Sequence, residues 1–343
     1  MNKRKKINWI LILQAWTIMW VVIGHAPLVA IQESQPLYAE LLYRIPQPFR
    51  MPLFIFVSGY LFYLTRIERP MPYLRMIGDK LKRLGIPFLV FTMIAMVIKT
   101  LFAEDMTRPS SIGLQEFVHN ILYPGEGPLS ELWFLTAIGW MFILRPLWTW
   151  SLNGKYATAA TVALLTAIHL YAPKGIEFLA LSSAMRYVLF FYLGMIACKY
   201  RIVDRFAVAY KTILVIAGSV YVASIFLDFA LLSALSGIAL SVSLALLADR
   251  FVPQLFAGFR NYTYQIYLIS IFVQVLVKIL YKHDLITHYA TGYVVCGDGQ
   301  KTEHSFHQSL SGIIKIKNYG RFDHRDLPLS HAVQNVQHLG KSD

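Results

Sequence analysis

Two ionisable residues stand in apolar stretches of this chain, His25 in WVVIGHAPL and Arg50 in RIPQPFRMPLFIFVSGYLF. A charge is costly there, which makes each a candidate for function. A histidine changes protonation state near neutral pH, so it suits the removal of a proton from a hydroxyl. An arginine keeps its charge and stabilises an oxyanion or acidic group, so the pair matches acyl or phosphoryl transfer. His25 lies roughly 25 Å along a helix from Asn8, at about 1.5 Å per residue, near the end of the first apolar run. Pro27 follows and loosens the helix. Arg50 opens the second run, crowded by Pro46, Pro48 and Pro52, which points to a shaped mouth rather than a plain helix start. Each residue also has a plainer reading: an interfacial histidine among head groups, and an arginine that snorkels to the surface.

Further cations lie deeper. Arg186, in SSAMRYVLFFYLG, falls mid-run, where a buried, paired or cavity-lining role is expected. Arg145 precedes Pro146 at the inner end of the fourth run, and Lys82 and Arg83 precede Ile86-Pro87-Phe88. Together they would form a basic funnel from the cytoplasm for an anionic, phosphate-bearing ligand. The excess of basic residues in cytoplasmic loops explains Lys82 and Arg83 equally well. Trp133 is either an interface anchor or one wall of a substrate pocket. His169 and Lys211 read as structural. Ser58 reads as a packing residue beside Gly59, with a nucleophile as the alternative.

The elements that position these residues follow from composition. Of 343 residues, 56% are hydrophobic and only 15% charged, with a mean hydropathy of +0.50. That excludes a disordered chain and an ordinary soluble enzyme. Two cysteines exclude a disulfide scaffold and a multi-cysteine zinc site. A spanning helix needs about 20 apolar residues. Nine candidate spans follow: 8–30, 49–65, 86–103, 131–150, 157–172, 178–198, 207–227, 229–248 and 262–281. The expected fold is all-α, a polytopic transmembrane helical bundle of nine to ten spans over 1–281. The basic start Lys3-Arg4-Lys5-Lys6 puts the N-terminus in the cytoplasm. The loops then alternate: Arg66, Arg69, Arg75, Lys80, Lys82 and Arg83 fall inside, and Glu104, Asp105, Glu116 and Glu126 outside. Topology and anionic membrane lipids absorb the net charge of +13, so no nucleic acid is expected. Residues 282–343 read as a polar, poorly ordered tail in place of a last span. Its histidines, among them His283, His304 and His338, lack ligand spacing, so no metal is expected.

At these residues the chain resembles the integral membrane acyltransferases of the acyltransferase-3 type. The resemblance covers most of 8–281. It is carried by ILQAWTIMWVVIGH ending at His25, FRMPLFIFVSGYLF from Phe49, KRLGIPFLVF from Lys82, LWFLTAIGWMFIL from Leu132, FFYLGMIA from Phe190 and NYTYQIYLIS from Asn261. It implies a bacterial cytoplasmic-membrane enzyme that takes an acyl group, usually acetyl, from acyl-CoA on the cytoplasmic side. The acceptor is a hydroxyl, commonly of a carbohydrate, at the outer side. The resemblance implies His25 as the catalytic residue. It also implies Arg83 as the best-matched donor-binding residue, with Arg145 and Arg186 as weaker matches. Three positions depart from the family pattern. Gln14 stands where members usually have a basic residue, Arg50 where a histidine is frequent, and Ser270 where the late motif ends in histidine.

A thioester donor needs no metal and no permanently bound cofactor; acetyl-CoA is itself a substrate. His25 would act as general base while Arg50 and Trp133 face the acceptor or oxyanion. Direct transfer and a covalent route through His25 or Ser58 both remain open. Two competing readings are a transporter or flippase of a glycan or lipid-linked substrate, and an inactive truncated homologue.

Overall fold

The computed structural model describes residues 5–25, 41, 44–103, 110–127, 129–173 and 175–282. All fall within Met1–Val295, the first of two units into which the chain divides. The tail and its histidines lie outside the described residues, as do Pro27, the end of the first apolar run, and Glu104 and Asp105.

Among the described residues the architecture is helical, with no strand. The elements are α1 (Lys5–His25), α2 (Gln47–Phe62), α3 (Tyr73–Lys80), α4 (Ile86–Leu101), α5 (Leu114–Leu122), α6 (Trp133–Ile143), α7 (Arg145–Leu152), α8 (Lys155–Tyr171), α9 (Leu181–Lys199), α10 (Ile202–Phe226), α11 (Ala230–Phe251) and α12 (Thr263–Lys282). Among the described residues four helical stretches are long and apolar enough to cross a membrane: Tyr73–Leu101, Phe178–Lys199, Ile202–Phe226 and Ala230–Phe251. A fifth counts if Ser130–Ile143 and Arg145–Leu152, bent by 53°, form one broken span. This is fewer than the nine runs marked by hydropathy. The fourth run is broken ahead of Pro146, and other apolar runs end in helices shorter or less apolar than a full span requires.

The bundle closes around α2, which packs against α1, α9 and α11. Its tightest seam is with α9. A side chain at Gly59 would run into the Phe191 carbonyl, and one at Gly194 into the Phe56 carbonyl. Two glycines on facing helices thus bring the backbones together, the way small residues replace hydrophobic drive inside a bilayer. On the other side Gly237 of α11 receives Phe49, whose Cβ lies 2.5 Å from where a glycine Cβ would stand. Helices α10 and α11 form an antiparallel hairpin whose turn puts Asp228 in the left-handed region, φ 54°. Across that hairpin the Ser233 hydroxyl donates to Ser224, 2.8 Å.

Two features depart from the sequence reading and matter for the site. First, the basic segment expected as a loop is helical from Tyr73 onward. Pro87 does not start a new helix. A single wide π-turn, Leu81–Gly85, joins α3 to α4. Pro87 has no N–H to offer the carbonyl four residues back, that of Arg83. The Tyr264 hydroxyl of α12 donates to that carbonyl instead, at 3.0 Å. Second, the fourth run breaks at Leu144. Arg145 then turns back and donates to the Met71 carbonyl at 2.7 Å, holding the bend against the segment that precedes α3.

Candidate active site

His25 is the last residue of α1; its side chain lies outside what the structure describes. The residue before it, Gly24, faces Arg50 of α2. A methyl group on Gly24 would overlap the Arg50 guanidinium. The missing side chain therefore makes room for Arg50 beside the end of α1. Arg50 is 9% exposed, so its charge is largely removed from solvent. The backbone places it early: its N–H donates to the Pro46 carbonyl at 2.8 Å, starting α2 one turn before the apolar run. Pro46 caps this helix start, a second proline stands in its first turn, and Pro52 lies inside the helix.

A second layer comes from α6 and α9. The Trp133 indole stacks on the Tyr187 ring, centroids 5.4 Å apart and planes 23° apart. The Tyr187 phenol lies within electrostatic reach of both Arg186 and Arg50. Arg50, Trp133 and Arg186, singled out separately from sequence, are thus grouped around Tyr187: Trp133 stacks on it, Arg186 is its chain neighbour, and Arg50 lies within electrostatic reach. Arg186 thus falls with Arg50, and neither Arg83 nor Arg145 is among the charges that act on Tyr187. Sequence reasoning missed Tyr187, although its position next to Arg186 was a usable signal. The layer is pinned by backbone carbonyls. His169 Nδ1 lies 2.5 Å from the Arg186 carbonyl, which can only accept, so the ring nitrogen carries the proton. The Trp140 indole donates to the Leu179 carbonyl at 3.1 Å, and the Tyr267 hydroxyl to that of Glu131 at 2.7 Å.

Below Arg50 the rings of Phe54, Phe134 and Tyr267 are in mutual contact, with centroids 4.6, 5.8 and 6.3 Å apart. Phe54 is one turn from Arg50 and Phe134 is next to Trp133 in the chain. These two rings also line a cavity of about 190 Å³. Its polar edge is Gln14 and Thr17 of α1, Ser58 of α2, Lys80 of α3, and Thr263 and Tyr264 of α12. Lys80 Nζ sits 3.8 Å from the centroid of Phe142, a cation over a ring face. Arg83 is exposed on the π-turn. Lys80 and Arg83 were both read as loop cations; only Lys80 enters the cavity. A larger groove of about 440 Å³, at a break in α10 near Ala209, takes in Lys211 and Arg250 and shares no residue with this region.

No curated protein and no solved structure matches the chain. A sequence profile described as an acyltransferase domain matches residues 7–296, a stretch that contains His25, Arg50, Trp133 and every cavity residue, and by that match the chain belongs to the acyltransferase-3 family.

Proposed function

We propose that this membrane acyltransferase moves an acetyl group from acetyl-CoA to a hydroxyl of an extracytoplasmic carbohydrate, with His25 as general base. The observation that carries the reading is the seating of Arg50 on Gly24, which puts a buried guanidinium one residue from His25. In this mechanism the neutral imidazole takes the acceptor hydroxyl proton as the oxygen attacks the thioester carbonyl. The tetrahedral oxyanion forms against Arg50. It collapses as the C–S bond breaks, and the imidazolium returns its proton to the departing thiolate. The products are the ester and free coenzyme A. The Trp133–Tyr187 stack offers a flat apolar wall of the kind on which a sugar ring packs.

The donor side falls to the opposite half of the bundle. Arg83, exposed beside Lys80, serves the donor's phosphates. Arg145 is turned to the Met71 carbonyl and Arg186 adjoins Tyr187 at the Arg50 end, so neither carries that role in this reading. The shorter helices α1, α2, α8 and α12 cross with the longer ones. With the four longer stretches and the broken one they make nine spans, the lower end of the nine to ten expected, in a bacterial cytoplasmic membrane, N-terminus inside.

The test follows label from acetyl-CoA into surface carbohydrate, in membranes carrying the chain, its His25→Ala form, or neither. The expected loss on His25→Ala is roughly 100- to 10,000-fold, the usual contribution of a general base. Incorporation that survives His25→Ala removes the histidine from the chemistry. Glycan flux without acylated product would favour a transporter.

A further inference from the structure

The cavity below the Phe54–Phe134–Tyr267 rings contains a cation that the chemistry at His25 does not use. Among the described residues no carboxylate forms a salt bridge with Lys80, and the charges that act on it are those of Arg66 and Arg83, both cations. Such a group attracts an anion or a polarised carbonyl oxygen. The hydroxyls nearby have the opposite character. Ser58 Oγ donates its proton to the Phe54 carbonyl at 2.9 Å, and Thr17 Oγ1 donates to the Leu13 carbonyl at 2.6 Å. Each is left with lone pairs to offer to an N–H group. The Gln14 amide can serve either partner. Between these polar points the walls are apolar: Val57, Leu84, Phe134, Ile138 and Phe142.

A ligand that matches this pattern is slender, with methylene segments for the rings, amide N–H groups for Ser58 and Thr17, and carbonyls for Lys80. A phosphate at its outer end would meet Arg66 and Arg83. We propose that the cavity seats the pantetheine arm of the acyl donor and that Lys80 anchors it through an arm carbonyl. The inference rests on the thioester reading of the His25 end and adds the path by which the thioester reaches it. From Gln14 to His25 is eleven residues, roughly 16 Å of helix at 1.5 Å per residue. An arm held at Gln14 and Lys80 therefore points its thioester toward the Arg50 layer. Coenzyme A and the prosthetic group of an acyl carrier protein share this arm.

The experiment uses the full chain in lipid nanodiscs carrying Ser58→Cys, with maleimide labelling at position 58 read by peptide mass spectrometry. Desulfo-coenzyme A, which has the arm but no thiol, is expected to slow labelling about tenfold. Adenosine 3′,5′-diphosphate, which lacks the arm, is expected to leave it unchanged. Lys80→Met should abolish the protection and Lys80→Arg should keep it. Protection by an S-alkylated acyl carrier protein but not by desulfo-coenzyme A would assign the arm to the carrier. Equal labelling with and without both arm-bearing probes overturns the inference. So does protection by the nucleotide alone, protection that survives Lys80→Met, or a thiol at position 58 that no reagent reaches, since an arm could not enter either. The outcomes separate from those at His25. Transfer that depends on His25 without arm protection sinks only the seat, and protection with transfer that survives His25→Ala sinks only the base.

Discussion

The protein has two basic regions, and they are built in opposite ways. At the His25 end Arg50 is buried, its place cut by Gly24, and a Tyr187 ring stacked on Trp133 lies within its electrostatic reach. His169, Trp140 and Tyr267 tie the surrounding backbone down through carbonyl oxygens. Around the cavity, Lys80 and Arg83 share a neighbourhood with Arg66 and lie on or beside a widened turn, and Arg83 is exposed. The first arrangement fixes one charge in one position, as stabilisation of a transient oxyanion requires. The second gathers like charges that no carboxylate bridges among the described residues, which suits capture of an anionic ligand that arrives and leaves. The residue types agree with the division. A planar guanidinium holds geometry, and a lysine on a flexible stem adapts to a moving partner.

The sharpest way to break this division is Arg50→Ala. If the outer charge serves the transition state, turnover falls roughly 100- to 1,000-fold, the usual cost of an oxyanion donor. The KM for acetyl-CoA should stay within about threefold, because a group acting only in the transition state leaves ground-state binding alone. Arg50→Lys should recover little, since a point charge does not reproduce the fork. Steady-state kinetics on purified protein decide it. A large rise in donor KM with turnover intact would show that the two regions are not functionally distinct.

Gly24→Ala asks the same question more gently. The added methyl meets the far end of the Arg50 side chain and not backbone, so the thermal midpoint should barely move. The guanidinium must shift, and a misplacement of about 1 Å near the chemistry costs up to roughly 100-fold in rate. We expect turnover to fall about 10- to 100-fold with stability kept. Full activity would mean that the position of Arg50 over Gly24 is incidental.

Much of the outer region was legible before any coordinates. His25 lies near the end of the first apolar run and Arg50 opens the next, and a helix pair with that connectivity brings them to one end. Arg186 stood out because a charge mid-run is costly. Its grouping with Arg50 was hidden, since it depends on how α2 and α9 pack to bring both charges within reach of Tyr187. The inner region was harder to read for a different reason. Lys80, Lys82 and Arg83 look alike in a hydropathy profile, and the rule that predicts basic loops inside explains all three equally. What separates them is the phase of a helix that sequence assigned to a loop. Pro87 reads as a helix start; the π-turn before it and the Tyr264 hydroxyl let the helix run through. The span count suffered from the same effect in reverse. Apolar runs predict burial in lipid, while the break ahead of Pro146 splits one of them into two shorter helices.

Tyr264→Phe tests that join with the smallest change. The substitution keeps the ring against the cavity and removes only the hydroxyl that serves the Arg83 carbonyl. A single hydrogen bond contributes about 0.5–1.5 kcal/mol, and this one lies near the surface, so the stability loss should sit at the low end. Its functional mark should be local. With the carbonyl unserved, the turn that carries Arg83 loosens beside Lys80, and the donor KM should rise about two- to threefold. Turnover at saturating donor should stay the same, because Arg50 and the rings below it are held by other contacts. Denaturation midpoints and a donor titration measure both effects in one preparation. A fall in turnover with donor KM unchanged would mean that the π-turn supports the His25 end directly. The boundary between the two regions would then have to move up, past the Phe54–Phe134–Tyr267 rings.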